Sequence, residues 1–279
     1  MSNNNKPILF GIVSFREKYW KCKSFLSLIK SYKISQFDNN LNIAIYDNTD
    51  YEIWDVACDL ELGSNIYIHY FRDQSNSGIS AAFNHFSMVA NINNFEWVVF
   101  LDQDTYLPKD FYRSYFERSL NSRNNIVLPI VRSNKKILSP TKYSFYRTSK
   151  LNDIPSEVLL KNITAINSGI MIRNDFFIAN SGYEKKLRID FCDHEFIERL
   201  NNREIFADII KVYLEQEFSS EINDKSKAIE RYRLFLKDMK QYRKNKNKII
   251  FLFRVDLPHL LKKMYRYRSL TFLIIRFNG

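Results

Sequence analysis

Residues that build tight turns and disulfide frameworks are scarce in this sequence. Its 279 residues include only six glycines, six prolines and three cysteines. So few glycines and prolines argue against a sandwich of short strands joined by tight turns. The cysteines, Cys22, Cys58 and Cys192, have no paired spacing. This excludes a disulfide framework or a zinc site and favours a reducing compartment.

Long apolar runs are also missing. Residues 1–6 are polar, and the short apolar run that follows them is interrupted by Arg16, which is not the pattern of a signal peptide. No uncharged apolar stretch reaches the roughly 18 residues that a membrane-spanning helix needs. We therefore expect a cytoplasmic protein whose only membrane contact is peripheral, on the inner face.

Acidic residues are depleted at one end of the chain. The formal net charge is +11, yet residues 225–279 contain 16 lysines and arginines and only three acidic residues. A basic, aromatic segment suits an anionic surface, which is provided by membrane headgroups, a lipid pyrophosphate or nucleic acid. We predict a main domain over residues 1–224 and a basic helical extension over residues 225–279, with a candidate linker at residues 219–226.

Apolar runs alternate with helical patterns through the first half of the chain. Short apolar runs predict buried strands, and apolar residues at helical spacing predict helices. Their alternation indicates an α/β fold with a mostly parallel sheet covered by helices on both faces. The predicted strands are residues 8–15, 41–46, 65–71 and 97–101, and the predicted helices are residues 18–31 and 79–91.

The pattern is less regular in the second half of the chain. Residues 256–277 are predicted as an amphipathic helix, with Asp256 as N-cap and Pro258 in the first turn. Further helices are predicted at residues 110–120 and 193–201, and strands at residues 126–131, 136–138 and 163–173, the last broken at Ser168 and Gly169.

Polar residues follow each apolar run of the predicted sheet. In open parallel sheets, ligands bind at the carboxyl ends of the strands, so these residues are the first candidates for a site. If the strands are parallel, all of them face one crevice. They are Ser14 and Arg16, Asp47 and Asn48, Asn76 and Gly78, and Asp102, Gln103 and Asp104.

The segment Asp102-Gln103-Asp104 carries the sharpest prediction. The apolar residues 97–101 deliver two carboxylates to a strand end. Two carboxylates one residue apart can share a hard divalent cation with substrate phosphate oxygens, and Mg²⁺ or Mn²⁺ suits such a site. An alternative is that an Asp after a strand only caps a turn or helix.

Two other strand ends leave alternatives open. Asp47 is a candidate for binding a nucleobase, and an Asx turn is the alternative. Asn76 and Gly78 precede a predicted helix and are candidates for presenting backbone N–H groups to phosphate. An ordinary cap and turn is the alternative, and the motif alone favours it.

A second ionisable cluster lies at the start of the helix predicted at residues 193–201. Acidic residues stabilise any helix N-terminus, but that effect explains one of them more easily than all three. A carboxylate at this position is a candidate general base, whereas His194 is assigned no catalytic role. The cluster consists of Asp190, Asp193, Glu195 and Arg199.

Taken together, these motifs resemble family-2 inverting glycosyltransferases of the GT-A fold, and within them the rhamnosyltransferase-like branch. The resemblance covers most of residues 7–245 and rests on six motifs in the same order. They are Ile12-Val13-Ser14-Phe15, Tyr46-Asp47-Asn48-Thr49, the segment from Asn76-Ser77-Gly78 to Asn84, Leu101-Asp102-Gln103-Asp104-Thr105, Asn167-Ser168-Gly169, and the segment from Ile189-Asp190 through Asp193 and Glu195 to Arg199.

The resemblance implies a role for each of these residues. Asp47 would bind the nucleobase, Asp102 the ribose or a metal-bound water, and Asp104 the metal on the diphosphate. Asp193 would deprotonate the acceptor hydroxyl. The remaining residues would line the substrates: Ser14, Phe15, Arg16, Asn76, Gly78, Asn84 and Gln103 the donor, and Ser168, Gly169, Asp190, Glu195 and Arg199 the sugars.

The implied reaction moves a sugar from a nucleotide-diphosphate donor to a glycan or lipid-linked acceptor, with inversion, in cell-surface polysaccharide synthesis. Rhamnose is one candidate sugar. One departure concerns the donor: the family often has a His after the segment matching residues 208–218, where this chain has Gln216 and no His.

The helix predicted at residues 256–277 has its apolar residues on one face, which favours docking on a membrane surface; a helix packed on the main domain is the alternative. The apolar face comprises Leu257, Leu260, Leu261, Met264 and Tyr265, and the basic residues elsewhere on the helix are Lys262, Lys263, Arg266 and Arg268.

Two other protein classes are alternatives to the glycosyltransferase. A nucleotidyltransferase would carry a Gly-rich basic loop near the first strand, and a nucleic-acid-binding module would carry a recognition motif. Neither feature is present in the sequence.

Overall fold

A central sheet organises the chain in the computed structural model, which describes residues 8–51, 61–201, 203–216 and 224–278. The strands of the main sheet are β1 (Ile8–Ser14), β2 (Leu41–Asp47), β3 (Ile66–Arg72), β4 (Trp97–Asp102), β5 (Thr105–Tyr106), β6 (Ile126–Ser133), β7 (Lys136–Ser139), β10 (Glu157–Leu159), β12 (Met171–Arg173) and β13 (Phe206–Gln216). A small second sheet contains β8 (Thr141–Ser144), β9 (Arg147–Ser149) and β11 (Ile163–Thr164).

The main sheet is mostly parallel, as the sequence predicts. Its order across the described residues is β10-β13-β6-β12-β4-β1-β2-β3, with β5 and β7 paired at β13 and β6. The neighbours β3, β2, β1 and β4 run parallel, and so do β6 and β13. Only β12 separates these two blocks, because it pairs antiparallel with both β4 and β6.

Helices cover both faces of the sheet because the buried strands alternate their apolar side chains between the faces. On β1, Leu9 and Val13 join one core cluster, and Phe10 and Ile12 join the other. The helices are α1 (Lys23–Ser35), α2 (Ile79–Ile92), α3 (Phe111–Asn121), α4 (Asn174–Ala179), α5 (Cys192–Leu200), α6 (Lys225–Tyr242), α7 (Lys248–Phe251), α8 (Leu257–Tyr267) and α9 (Thr271–Asn278).

Each predicted strand and helix of the first half is confirmed within a few residues. The main difference is at α1, where residues 19–21 form a separate 3-10 turn and the helix continues to Ser35. The sequence analysis missed β13, an 11-residue strand, because charged Asp208 and Lys211 interrupt its apolar pattern. It also missed the short elements β8, β9, β10 and α4.

The break predicted at Ser168 and Gly169 is present. It separates β11 of the small sheet from β12 of the main sheet. Gly169 has a φ of +83°, and a Cβ there would lie 2.3 Å from the Leu214 side chain. Only glycine fits this left-handed, closely packed position.

The C-terminal region differs from the single amphipathic helix predicted over residues 256–277. A helix begins at Lys248, continues through a π-helical turn at Leu252–Asp256 into α8, and stops at Arg268, which has a left-handed backbone. The predicted N-cap at Asp256 is wrong, because this residue is inside the helix. Its buried carboxylate pairs instead with Arg276 of α9.

The basic extension packs against the main domain. Tyr232 of α6, Leu260 of α8 and Phe272 of α9 belong to the same core cluster as Phe83 and Phe177 beneath the main sheet. The proposed linker at residues 219–226 lies mostly outside the described residues, and the division into residues 1–224 and 225–279 stays a prediction. Cys22 and Cys192 are buried free thiols, whereas Cys58 lies outside the described residues.

One buried carboxylate joins the extension to the main domain. Asp238 of α6 is 2% exposed and accepts hydrogen bonds from three successive backbone N–H groups, those of Arg188, Ile189 and Asp190, at 3.0, 2.8 and 2.8 Å. These residues lead directly into α5. Because a buried carboxylate needs such donors, the contact fixes the path of the loop before that helix.

We predict that Asp238→Asn lowers the free energy of unfolding by about 2 kcal/mol or more, because the amide leaves at least one buried N–H without an acceptor. Urea denaturation followed by circular dichroism measures this change. Lys237→Gln is the matched control, because Lys237 is exposed on the same turn of α6 and should change stability little. Equal midpoints for the two variants would contradict the prediction.

Candidate active site

The carboxyl ends of three adjacent strands place the first candidate residues together. β1 lies between β2 and β4, and the register pairs Ser14 with Asp47 and Val13 with Asp102. Neighbouring strands lie about 4.8 Å apart, so the backbones of Asp47 and Asp102 are separated by about 10 Å. The strand ends that carry Asp47 and Asp102 therefore lie at the same edge of the sheet, and their role in one binding site stays a prediction.

Asp102 is held by two side chains from distant parts of the chain. The Ser168 hydroxyl donates to Asp102 Oδ2, and Gln216 Nε2 donates to the same oxygen at 3.2 Å. Burial, opposed by the Ser168 hydrogen bond and reinforced by the nearby charges of Asp104 and Asp193, raises the pKa of Asp102 to about 6. A cation bound beside this group would favour its ionised form.

The two residues after Asp102 complete the turn at the end of β4. Gln103 accepts a hydrogen bond from the Phe15 backbone N–H at Oε1, at 2.6 Å, and so ties this turn to the end of β1. Asp104 is half-buried, and its charge acts on Asp102. The Asp102-Gln103-Asp104 segment therefore follows β4 directly and lies beside the end of β1.

The donor set fits a hard divalent cation of the kind expected, Mg²⁺ or Mn²⁺. Asp102 and Asp104 offer carboxylate oxygens, and the buried Gln216 Oε1 has no hydrogen-bond partner. Among the described residues, no three His, Cys, Asp or Glu side chains gather as a metal-binding group. A cation here would need substrate phosphate oxygens or water as further ligands, which is the usual arrangement for Mg²⁺.

The Asp47 strand end combines a structural turn with unsatisfied polar atoms. Asp47 Oδ1 accepts from the Thr49 N–H and Oδ2 from the Tyr70 hydroxyl, both at 2.9 Å, so the expected Asx turn is present. The buried Ser14 Oγ and Asn48 Oδ1 beside it have no hydrogen-bond partner among the described residues. Such orphaned atoms at a strand end suit a polar ligand.

Arg16 and Phe15 lie at the rim of this end of the crevice. Both are exposed, and the Arg16 guanidinium pairs with Asp50 at 2.7 Å. The pairing with Asp50 raises the pKa of Arg16, and Arg16 lowers that of Asp50. An Arg with an exposed partner remains available to an anionic ligand, because such surface pairs contribute little stability.

The loop before α2 is organised by an Asp that the sequence analysis did not single out. Asp73 accepts hydrogen bonds from the Ser75 and Ser77 backbone N–H groups at 3.0 and 2.8 Å, and from the Tyr46 hydroxyl. Although burial raises the pKa of Asp73, hydrogen bonds from the side chains of Ser75 and Ser77, the Ser77 backbone and Tyr46 outweigh it and hold that pKa well below its usual range.

The start of α2 is closed by protein atoms. The Ile79 N–H donates to the Arg188 carbonyl at 2.6 Å, and the Arg188 guanidinium donates to the Asn76 carbonyl. Gly78 has a φ of +95°, and a Cβ there would lie 2.3 Å from the Arg188 oxygen. At Ile79 the geometry is therefore that of a cap and turn, and donor binding by Asn76 and Gly78 stays a prediction.

Three residues expected to line substrates make contacts within the protein. Asn84 exchanges two hydrogen bonds of 2.9 Å with the Tyr183 backbone, which occupy its amide oxygen and nitrogen. Gly169 is enclosed by protein, and its carbonyl accepts from the Tyr115 hydroxyl. Ser168 donates to Asp102 and is itself fully buried. In the structure these residues position their neighbours.

The second cluster lies at the first turn of α5. Asp193 is half-buried, and its Oδ1 accepts from the His194 backbone N–H at 2.8 Å. Its negative charge contributes to the raised pKa of Asp102. Among the three acidic residues of this cluster, Asp193 is the one for which the structure gives no side-chain ion pair among the described residues.

The other members of this cluster are paired within the protein. Asp190 forms a two-pronged ion pair with Arg231 of α6, at 2.5 and 2.8 Å. Glu195 pairs with Arg199 at 2.7 Å, and Arg199 also donates to the carbonyls of Asn180 and Gly182. These contacts hold α5 against its surroundings, and sugar binding by Asp190, Glu195 and Arg199 stays a prediction.

Solved structures of other proteins share this fold. TarS residues 1–349 of S. aureus with UDP aligns with a TM-score of 0.53 at 16% identity, covering 84% of this chain and 65% of that one. The same TarS fragment with UDP-GlcNAc gives 0.52 at 13%, covering 95% and 74%. GalNAc-T7 with UDP, GalNAc and Mn²⁺ gives 0.56 at 12%, covering 91% and 57%.

These likenesses concern the fold, and the chain spans less than two thirds of the TarS fragment with UDP and of GalNAc-T7. Comparison with curated protein sequences gives no match. At the level of sequence families, residues 13–179 match the profile described as Glycosyl transferase family 2. That match covers more than half of the chain and includes the strand ends that carry Asp47, Asp102 and Asp104, so the chain belongs to glycosyltransferase family 2.

Proposed function

We propose that this protein transfers a sugar, with inversion, from a nucleotide-diphosphate donor to a hydroxyl of a glycan or lipid-linked acceptor in cell-surface polysaccharide synthesis. The observation that carries the proposal is the arrangement of Asp102 and Asp104 beside Asp47 at the ends of adjacent parallel strands. Structures of the same fold contain UDP, UDP-GlcNAc, or UDP with Mn²⁺, which supports a nucleotide-sugar donor and a divalent cation.

The donor would lie along the strand ends. The Asp47 end supplies the orphaned Ser14 and Asn48 oxygens for the nucleoside. Asp102, Asp104 and Gln216 would hold Mg²⁺ or Mn²⁺ against the diphosphate, with Ser168 keeping Asp102 in place. Such a cation, when bound, neutralises the charge that develops on the departing diphosphate. Arg16, at the rim, would bind the phosphates on the side away from the cation.

Asp193 would act as the general base. Its carboxylate takes the proton from the acceptor hydroxyl while that oxygen forms a bond to the sugar C1, and the bond from C1 to the diphosphate oxygen breaks with its electron pair. Because attack and departure lie on opposite faces of the sugar, its configuration inverts. The Asp193 hydrogen bond to the His194 N–H fixes the side chain for this step.

The identity of the sugar depends on residues around Gln216. The resemblance of Leu101–Thr105 to a rhamnosyltransferase motif keeps rhamnose among the candidates. Gln216 occupies the end of β13, next to Asp102, where the family often carries a His. A neutral amide oxygen in place of an imidazole suits a harder cation, so Mg²⁺ should support activity as well as Mn²⁺ does.

We predict that Asp102→Ala and Asp104→Ala each reduce metal-dependent hydrolysis of the cognate nucleotide sugar at least about a hundredfold, because the diphosphate loses its cation. The donor is found first by a thermal-shift screen of nucleotide sugars with Mn²⁺ or Mg²⁺, and nucleotide release is then measured. Asp110→Ala is the control, since Asp110 is exposed just before α3. If Asp102→Ala keeps wild-type hydrolysis, the site assignment fails.

We predict that Asp193→Asn slows transfer to the acceptor by a factor of about 10² to 10⁴, because the amide takes no proton. Donor affinity should stay the same. The Asn oxygen can still accept from the His194 N–H, so the start of α5 is preserved. Isothermal titration with the donor nucleotide, together with turnover measurements, separates the two effects. Turnover equal to that of the wild type would show that another group is the base.

The C-terminal helices support a peripheral membrane contact. The predicted apolar face of α8 is divided: Leu260 is buried in the core, whereas Leu261 and Tyr265 are 60% and 89% exposed. In α9, Phe272 is buried and Phe277 is 77% exposed. The expectation of a helix packed on the main domain is therefore correct for one face, and a second apolar face stays uncovered among the described residues.

We propose that this second face docks on an anionic lipid surface at the cytoplasmic side of the membrane. Phe253, Leu261 and Tyr265 are exposed apolar residues at spacings of eight and four, and exposed basic residues flank them. Apolar insertion combined with basic headgroup contacts is the pattern of interfacial helices. No helix in the described part of the chain is long and apolar enough to cross a bilayer. The flanking cations are Arg254, Lys262, Arg266 and Arg268.

We predict that the protein floats with vesicles containing phosphatidylglycerol and that the double variant Leu261→Ser, Tyr265→Ser weakens this binding about tenfold or more, since each buried apolar side chain contributes roughly 1.5 to 3 kcal/mol. The matched control is Ile92→Ser, because Ile92 is 69% exposed on α2, away from the extension. Wild-type protein that stays at the bottom of the gradient would remove the membrane contact.

Two other functions are less well supported. A nucleotidyltransferase would need a Gly-rich phosphate loop near β1, but Gly11 lies within the strand, and a Cβ there would meet the Phe86 ring at 2.2 Å. Nucleic-acid binding by the extension would give an affinity that falls steeply with salt and does not depend on Asp102. The exposed apolar face of α8 favours lipid over a phosphate backbone.

A further inference from the structure

A cavity of about 350 Å³ opens beside the first turn of α5, outside the crevice formed by the strand ends. It lies between the β8–β9 hairpin, the start of α5 and the C-terminal helices. Its walls are dominated by rings, and the extension contributes part of them. The rings are those of Tyr143, Tyr146, Phe191, His194 and Tyr242.

The rings form two parallel stacks. Tyr143 lies over His194 with ring centroids 5.4 Å apart and an interplanar angle of 5°, and Phe191 lies over Tyr242 at 4.7 Å and 10°. The hydroxyls of Tyr143 and Tyr242 hydrogen bond to each other at 2.9 Å. Tyr242 also donates to Glu198 at 2.7 Å. Because these buried phenols are satisfied, the walls are held in a fixed arrangement.

Phe191, in the cavity wall, has an unusual backbone conformation. Phe191 has a left-handed φ of +67°, which is uncommon for an aromatic residue. Its ring contacts those of Tyr242 and Phe235, both of α6. Such backbone conformations persist where surrounding packing enforces them, and they cluster at functional sites. At Phe191 this conformation places the ring at the cavity, and α5 begins at the next residue, Cys192.

The cavity is adjacent to the proposed base. His194, in its wall, directly follows Asp193, and its Nδ1 hydrogen bonds with the Thr164 hydroxyl. Asp193 therefore belongs to the same first turn of α5 that contributes the His194 ring to the cavity wall.

We propose that this cavity is the acceptor subsite and that it binds a pyranose ring of the acceptor glycan; the inference rests on the proposed function. A pyranose has apolar C–H faces and a rim of hydroxyls. Stacked aromatic walls match the faces, and Arg147 and Thr148 at the cavity supply polar groups for the hydroxyls. The volume is at the small end of ligand sites, of about 300 to 1,000 Å³, and suits one or two sugar units.

The test fills the cavity from an exposed position. Thr148 lines the cavity and is exposed on β9, so Thr148→Trp should fold normally. Its neighbour Ser149 is also exposed, and adjacent strand residues point to opposite faces, so Ser149→Trp is the matched control. The control variant Ser149→Trp should keep metal-dependent nucleotide-sugar hydrolysis, because Ser149 lies neither at the strand ends nor in the cavity lining.

The probes are methyl pyranosides of glucose, galactose and rhamnose, observed by saturation-transfer NMR with UDP and diamagnetic Mg²⁺ present. We expect at least one to receive saturation at its ring C–H protons, and its affinity to fall about tenfold in Thr148→Trp while Ser149→Trp matches the wild type. The inference is wrong if no pyranoside binds, if both variants behave alike, or if UDP abolishes a signal seen in its absence. That last result would make the cavity a nucleotide site.

The two measurements distinguish a failure of this inference from a failure of the proposed function. If hydrolysis depends on Asp102 but pyranoside binding ignores Thr148, only the acceptor subsite is wrong. If pyranoside binding depends on Thr148 but hydrolysis does not depend on Asp102, the catalytic assignment is wrong and a sugar-binding cavity remains.

Discussion

The position of β1 between β2 and β4 is the constraint on which the rest of the site depends. Parallel pairing on both sides brings three carboxyl ends to one edge of the sheet and sets Ser14 beside Asp47 and Val13 beside Asp102. A shift of one residue in either ladder would turn the carboxylates to the other face of the sheet. The apolar residues that alternate along β1 fix this register, because each face packs against its own core cluster.

Three side chains from other parts of the chain contact Asp102 or act on its charge. Ser168 arrives from the turn before β12, Gln216 from the end of β13 and Asp193 from the start of α5. Each comes from the second half of the chain, where the sheet is irregular. The first half of the fold therefore supplies the strand ends proposed to bind the donor, and the second half supplies the contacts that position Asp102.

The first half of the fold could be predicted well because the sequence patterns that specify it are local. Apolar runs such as residues 97–101 end directly at the functional residues, so the strand ends and the convergence of Asp47, Asp102 and Asp104 follow from pattern and sheet geometry. The family match over residues 13–179 agrees with that prediction. The contacts of Asn84 with Tyr183 and of Asp238 with residues 188–190 could not be predicted, because they join segments that are distant in sequence and show no periodic pattern. Similarly, Gln216 was notable in the sequence only for replacing a His, yet β13 places it against Asp102.

The Asp238 contact links the basic extension to the loop that leads into α5. Through this carboxylate, and through Tyr242 in the cavity wall, the extension shapes the loop before α5 and the cavity beside that helix. If the strand ends bind the donor and the cavity binds the acceptor, as proposed, the C-terminal helices contact only the acceptor. Relatives that remodel only these helices would then differ in their acceptors while the strand ends stay the same.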